Sequence, residues 1–219
     1  MDQLFTVLTD MWHFLQKGGV IMIPLLFCSV FGLAILLVKV IQLRRNKVLA
    51  PEIIQLLRSI KTPEDADLAW RISQEKSSPF SNVIQVALAN RDLPPEEMKE
   101  SIEAQGRQEA RTLERGLVVL ETIAAVAPLL GLLGTVLGMV EVFNELAKSD
   151  MVQATQLSHG ISKALITTIV GLSIGIVALV FYNYLWNKAD SLILDIEKHS
   201  ATLYNKLRRF KPSETAAEI

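Results

Sequence analysis

Residues Thr122–Val140 read TIAAVAPLLGLLGTVLGMV, 19 residues without one charge. At 1.5 Å per residue, a helix of this length spans a bilayer's hydrocarbon core of roughly 30 Å. Two other stretches have the same character. Val20–Val38 is interrupted only by Pro24 and Gly32, and Ala164–Asn187 carries no charge. The three stretches predict three transmembrane helices. They hold much of the apolar content of a chain of 219 residues that is 50% hydrophobic and 21% charged. A soluble globular enzyme is therefore disfavoured before any motif is read. The net charge of −1 gives no broad electrostatic footprint for nucleic acid. The one cysteine, Cys28, allows neither an intrachain disulfide nor a cysteine zinc cluster. The first stretch is followed by Lys39, Arg44, Arg45 and Lys47, a stop-transfer pattern rather than a cleavage site.

The Lys/Arg distribution predicts the orientation. Residues 1–19 hold one Lys, as does the loop 144–158, whereas 44–115 holds 12 Lys/Arg and 188–219 holds six. All three spans then agree on an outer N-terminus, an inner long loop, an outer short loop and an inner tail.

This divides the chain into seven parts. Residues 1–19 form an outer interfacial amphipathic helix with Leu4, Leu8, Met11 and Leu15 on one face, turning at Gly18-Gly19. The first span is 20–43, expected to face lipid because Ile21, Leu25, Leu26, Phe31, Leu36 and Leu37 are bulky on several sides. Residues 44–115 form a cytoplasmic helical domain. Proline marks each helix start: Pro51, Thr62-Pro63, Ser78-Pro79 and Pro94-Pro95. The last of these helices has no obvious stop and is expected to run into the second span, 116–143, as one rod. A short outer loop, 144–159, and the third span, 160–187, follow. A charged helix and tail complete the chain at 188–219. No period-2 alternation appears, so no sheet is expected. The fold class is thus an all-α integral membrane protein: three transmembrane helices with long cytoplasmic helical extensions.

Enzyme chemistry finds no support. There is no phosphate-binding G-x-x-x-x-G-K-[ST] and no H-E-x-x-H. His13, His159 and His199 lie far apart with no ligands at metal spacing, so neither a metal nor another cofactor is expected. The glycines of 131–138 follow no strand and do not form G-x-G-x-x-G.

The small residues form stripes instead. At 100° per residue, Ala124, Ala127, Gly131, Gly134, Thr135 and Gly138 fall within an arc of roughly 100°. Ala164, Thr167, Thr168, Gly171, Gly175 and Ala178 do the same on the third span, with Tyr182 in line. Small residues let helix backbones approach closely in lipid, where no hydrophobic drive holds helices together. Two readings stand open: packing of the second span on the third, or a face offered to a partner helix or an ion path. The threonines could equally bond carbonyls of their own helix, and Pro128 could be a structural kink.

Residues Ala127–Met139, APLLGLLGTVLGM, together with Gly160–Leu172, GISKALITTIVGL, and Tyr182-Asn183, resemble the MotA/TolQ/ExbB proton-channel family. The order of three spans resembles its ExbB/TolQ branch. The resemblance implies a homo-oligomeric ring, a pentamer, in the bacterial inner membrane. It implies two copies of a single-span ExbD/TolR-like partner inside the ring, bringing a membrane aspartate. A TonB-like envelope-spanning protein would be a further partner. By the same resemblance Thr135 and Thr168 match pore-facing threonines, and Pro128 matches the proline before the glycines. The chain departs at Lys163, where many relatives carry a glutamate. This lysine either snorkels at the outer boundary or is a partner-facing charge that pairs with an acidic group of the inserted helix. The implied function is that of a proton-motive-force-driven motor or stator subunit. The alternative is a non-conducting membrane scaffold that clamps single-span partners.

Overall fold

The computed structural model of the chain describes residues 18–59, 62–76, 78–148 and 154–210. The amphipathic helix expected over 1–17 and the end of the tail lie outside the described residues, as do residues 149–153. Among the described residues the regular elements are helices: α1 (Met22–Gln42), α2 (Arg45–Val48), α3 (Pro51–Ser59), α4 (Pro63–Glu75), α5 (Pro79–Ala89), α6 (Pro95–Glu114), α7 (Leu117–Lys148) and α8 (Ala154–Phe210). Three helices are long and apolar enough to cross a membrane, as the charge-free stretches predict. Both α7 and α8 run past the apolar stretches, so helix enters the segment 144–159 from each side.

The chain forms two compact units. One holds α1 as far as Leu37, together with Gly116–Tyr184; the other holds Val38–Arg115 and the chain from Leu185 onward. In the first unit α1 starts after a turn in which Gly19 has a positive φ of 71° and its carbonyl accepts from Met22 N at 3.1 Å. Met22, Leu25 and Ala127 are buried together, with Ile21, Leu130, Val170 and Ile174 packed against them. The first span therefore does not face outward all round. Leu25 is fully buried, whereas Leu26, Phe31 and Leu37 stay exposed. In its bulky leucines the sequence shows size, but it does not show which side meets protein.

The second unit is built from capped helices. Thr62 and Asp65 make a reciprocal box at the start of α4: Thr62 N donates to Asp65 Oδ2 at 2.9 Å, and Asp65 N donates to Thr62 Oγ1 at 3.4 Å. Ser78 caps α5, its Oγ accepting from Ser81 N at 3.1 Å. The face of α4 that is buried consists of Ala66, Ala69 and Ser73, while Leu68 is exposed. The small face lets α5 approach, and Gln85 Nε2 reaches Ser73 O at 2.6 Å. On α5 Phe80, Val83, Ile84, Ala87 and Leu88 are buried; on α6, Met98, Ile102 and Leu113. Glu109 is buried, and its Oε1 accepts from Asn82 at 2.8 Å and Gln105 at 2.7 Å, which satisfies the charge with two amide donors. The C-terminal half of α8 buries Leu185, Ala189, Leu192, Ile196, Leu203 and Leu207. It is tied in by Asp195 on Arg45 at 3.0 Å, by His199 against the Phe80 ring at 5.6 Å, and by Lys206 donating to Leu57 O at 2.7 Å.

The single rod expected from 96 through the second span is interrupted. Helix α6 ends at Glu114 and α7 begins at Leu117, with Gly116 at φ 91° between them. Gly106, in the middle of α6, stays helical. The difference is support at the end: Lys39 is buried and donates to Leu113 O at 3.0 Å and to Thr112 O at 3.4 Å, satisfying carbonyls that a continuous helix would have bonded itself. A left-handed residue with a Cβ costs about 1–2 kcal/mol. Gly116→Val is therefore expected to lower the thermal midpoint of the purified protein, and Gly116→Asn to lower it less; melts followed by circular dichroism check both.

Candidate functional site

The two small-residue stripes meet each other. A Cβ built on Gly171 would stand 2.6 Å from Ala127 O and 2.9 Å from Gly131 Cα; one on Gly131 would stand 3.0 Å from Thr167 O. Neither position tolerates even a methyl group without moving backbone. Gly134 faces Thr167, and Gly138 faces Ala164, with its added Cβ 2.8 Å from the alanine Cβ. Gly175 gives room to Pro128, whose Cδ would lie 2.7 Å from a Cβ there; Ala124 O would be 3.1 Å away. Pro128 removes the N–H that Ala124 O would have accepted in a regular helix. Each step up α7 is thus matched by a step down α8 in an antiparallel register. Ala127, Gly131, Gly134, Gly138, Ala164, Thr167, Gly171, Gly175 and Ala178 are all buried, and Pro128 is half-buried. Thr167 sits inside the seam, its hydroxyl donating to Ala164 O at 2.7 Å.

Thr135 and Thr168 lie beside the seam rather than in it. Both are half-buried. Thr168 Oγ1 donates across to Gly131 O at 3.0 Å, while Thr135 Oγ1 turns back on its own helix, to Leu132 O at 2.6 Å. In the antiparallel register the two threonines come level. At 100° per residue they also fall on the same flank of the helix pair. The other flank carries Leu130, Val170 and Ile174, which pack against the cluster in which Met22 and Leu25 of α1 are buried with Ala127. So α1 covers one flank, and the threonines lie on the opposite one. Tyr182 and Glu121 belong to the threonine flank, and the Tyr182 hydroxyl hydrogen-bonds the Glu121 carboxylate. In the sequence Tyr182 stood in line with its stripe and Glu121 only near a span end. The signal that joins them is the antiparallel register, which needs both helices at once.

Lys163 falls on the α1 flank. Its Nζ lies 2.6 Å from Glu141 Oε2, and its side chain runs beside Gly19. The acidic group that the sequence left to a partner is present within the chain. The pair is partly exposed, Lys163 at 27% and Glu141 at 57% of the side chain. Glu121 and Glu141 stand 20 residues apart on α7, about 30 Å along a helix, so each carboxylate marks one end of the apolar span. Among the described residues no group of three His, Cys, Asp or Glu could hold a metal.

Residues 74–198 match the family described as the MotA/TolQ/ExbB proton channel family. The chain belongs to this family. Among curated proteins it is similar to an ExbB-like biopolymer transport protein of Synechocystis, 32% identical over 175 residues that cover 77% of this chain and 81% of the relative. It is similar to an ExbB homologue of Methanothermobacter thermautotrophicus, 30% identical over 198 residues, 90% of this chain and 70% of the relative. It also resembles the Tol-Pal system protein TolQ of Haemophilus influenzae, 33% identical over 119 residues, 53% of this chain and 51% of the relative. The family is a membrane channel family linked to biopolymer transport, and the region matched takes in the whole of α7 and most of α8.

The close approach gives a direct prediction. Gly171→Val should separate α7 from α8 and cost about 1–3 kcal/mol or more, as overpacking does. Gly106→Ala, where a Cβ meets nothing within 4 Å, should leave stability unchanged or raise it by about 0.5–1 kcal/mol. Thermal melts of the two purified variants, with recovery of the folded protein after detergent extraction, distinguish them.

Proposed function

We propose that the chain is a subunit of a proton-driven motor in the bacterial inner membrane. Copies of it form a ring, five by family resemblance, around two copies of a single-span ExbD/TolR-like partner, and proton flow moves the partner to do work across the envelope. One observation carries this reading: the flank of α7 and α8 opposite α1 brings Thr135 and Thr168 level and adds the Tyr182–Glu121 pair. With α1 on the other side, this is the flank a ring would turn toward its centre. The N-terminus then lies outside and the tail in the cytoplasm, in keeping with the Lys/Arg distribution.

The chemistry follows from the hydroxyls. Neither threonine is acidic enough to donate a proton. Each retains lone pairs after donating to a backbone carbonyl, so each accepts a hydrogen bond from a protonated partner carboxyl or from water. An isolated carboxylate in such a lumen is costly; a neutral carboxyl held by a hydroxyl is not. Glu121, toward the Lys/Arg-rich side, supplies an in-chain carboxylate where the proton leaves. Each proton crossing 100 mV releases about 2.3 kcal/mol, enough to move a packed helix between neighbouring positions when several cross.

Proton uptake by proteoliposomes holding the chain with its partner tests the reading. Thr135→Val with Thr168→Val should leave the complex assembled and lower flux about tenfold, the equivalent of one lost hydrogen bond; serine at both sites should retain more. The same flux from the double valine variant, with assembly intact, would refute the ion-path role and leave the threonines to packing. Glu121→Gln should slow flux in the same assay, with the complex still assembled.

A further inference from the structure

Arg107 and Arg111 stand at successive turns of α6 and Arg115 just past its end; with Ala104, Gln108 and Thr112 they line a groove of about 470 Å³. All three arginines are exposed. Among the described residues little neutralises them. Arg107 lies 3.7 Å from Glu103, which also meets Lys99 at 4.0 Å. Among the described residues no ion pair joins Arg111 or Arg115 to a carboxylate. The buried Glu109 has its Oε1 taken by Asn82 and Gln105. A fourth cation stands close by: Lys39, held on Thr112 O and Leu113 O, is near enough to Arg115 for the two charges to repel. Such a concentration of positive charge, with two guanidinium groups that meet no carboxylate among the described residues, calls for an anion.

The position says which anion. Lys39 is in the last turn of α1, a helix long and apolar enough to cross a membrane. The same helix end exposes Val38, Val40 and Ile41. Lys39 ties this helix end to the carbonyls of Thr112 and Leu113, and Thr112 also lines the groove, so the exposed apolar residues Val38, Val40 and Ile41 stand near it in the chain's second unit. An anionic headgroup with acyl chains fits both halves of that surface; a soluble phosphate fits only one. We propose that Arg107, Arg111 and Arg115 form a binding site for the headgroup phosphate of an anionic phospholipid. Guanidinium groups offer forked pairs of N–H donors that match phosphate oxygens, and basic pockets beside membrane helices on the Lys/Arg-rich side hold anionic headgroups. The bound lipid offsets the repulsion between Lys39 and Arg115. None of this depends on the ion path.

Native mass spectrometry of the full-length complex, titrated with phosphatidylglycerol, tests the site. Arg111→Gln with Arg115→Gln should weaken phosphatidylglycerol binding about tenfold or more, with phosphatidylcholine binding unchanged. Arg111→Lys with Arg115→Lys, which keeps the charge but loses the fork, should fall between. Glycerol 3-phosphate should fail to displace the lipid at matched concentration. Unchanged phosphatidylglycerol binding in the glutamine variant overturns the proposal. So does displacement by glycerol 3-phosphate as effective as by the lipid, which would make the groove a soluble-anion site. Loss of oligomer in the glutamine variant with lipid binding per chain intact also overturns it, by assigning the arginines to a contact between copies.

Discussion

The backbone contact between Gly131 and Gly171 governs the membrane unit. Helices in lipid gain nothing from apolar burial alone, so packing distance decides whether they associate. Here the contact is close enough that an added Cβ on Gly171 would come within 2.6 Å of Ala127 O. It sets the antiparallel register, and the register sets everything polar in the unit. Thr168 reaches Gly131 O because the backbones are close. Tyr182 reaches Glu121 and Lys163 reaches Glu141 because the same register runs to both ends of the span. Pro128 is accommodated on the same terms, with Gly175 leaving room for its ring.

Sides follow from register. Met22 and Leu25 of α1 join Ala127 in one buried cluster, with Leu130, Val170 and Ile174 packed against it, so α1 closes one flank of the pair. The threonines are left on the other. The stripes therefore serve packing, and Thr135 and Thr168 stand beside them. A helix wheel of one span places Thr135 within the same arc as the glycines; the width of that arc conceals the boundary between the seam and its flank.

The second unit answers a different requirement. Its helices are short and separately capped, and each buries a small or apolar face: Ala66 and Ala69 on α4, Phe80 and Val83 on α5. Charge is either solvated or satisfied, as with Glu109 and its two amides. The break at Gly116 belongs to this logic. A buried ammonium from α1 satisfies carbonyls at the end of α6, and the glycine turns the chain before the apolar helix begins.

Much of this was legible in the sequence for local reasons. Three charge-free stretches of bilayer length give three spans, because an unpaired charge in hydrocarbon is costly wherever it falls. Pro51, Thr62-Pro63, Ser78-Pro79 and Pro94-Pro95 mark helix starts because capping and proline act within one turn. The glycine pattern also carries the family resemblance. What the sequence alone left undecided depended on two helices at once. The stripes' partner, the pairing of Lys163 with Glu141 and of Tyr182 with Glu121, and the inward side of Leu25 follow from a register that no single helix contains. The interruption at Gly116 is of the same kind. Gly106 and Gly116 are alike to a propensity argument, and only the second has Lys39, 77 residues earlier in the chain, to satisfy the carbonyls at its break.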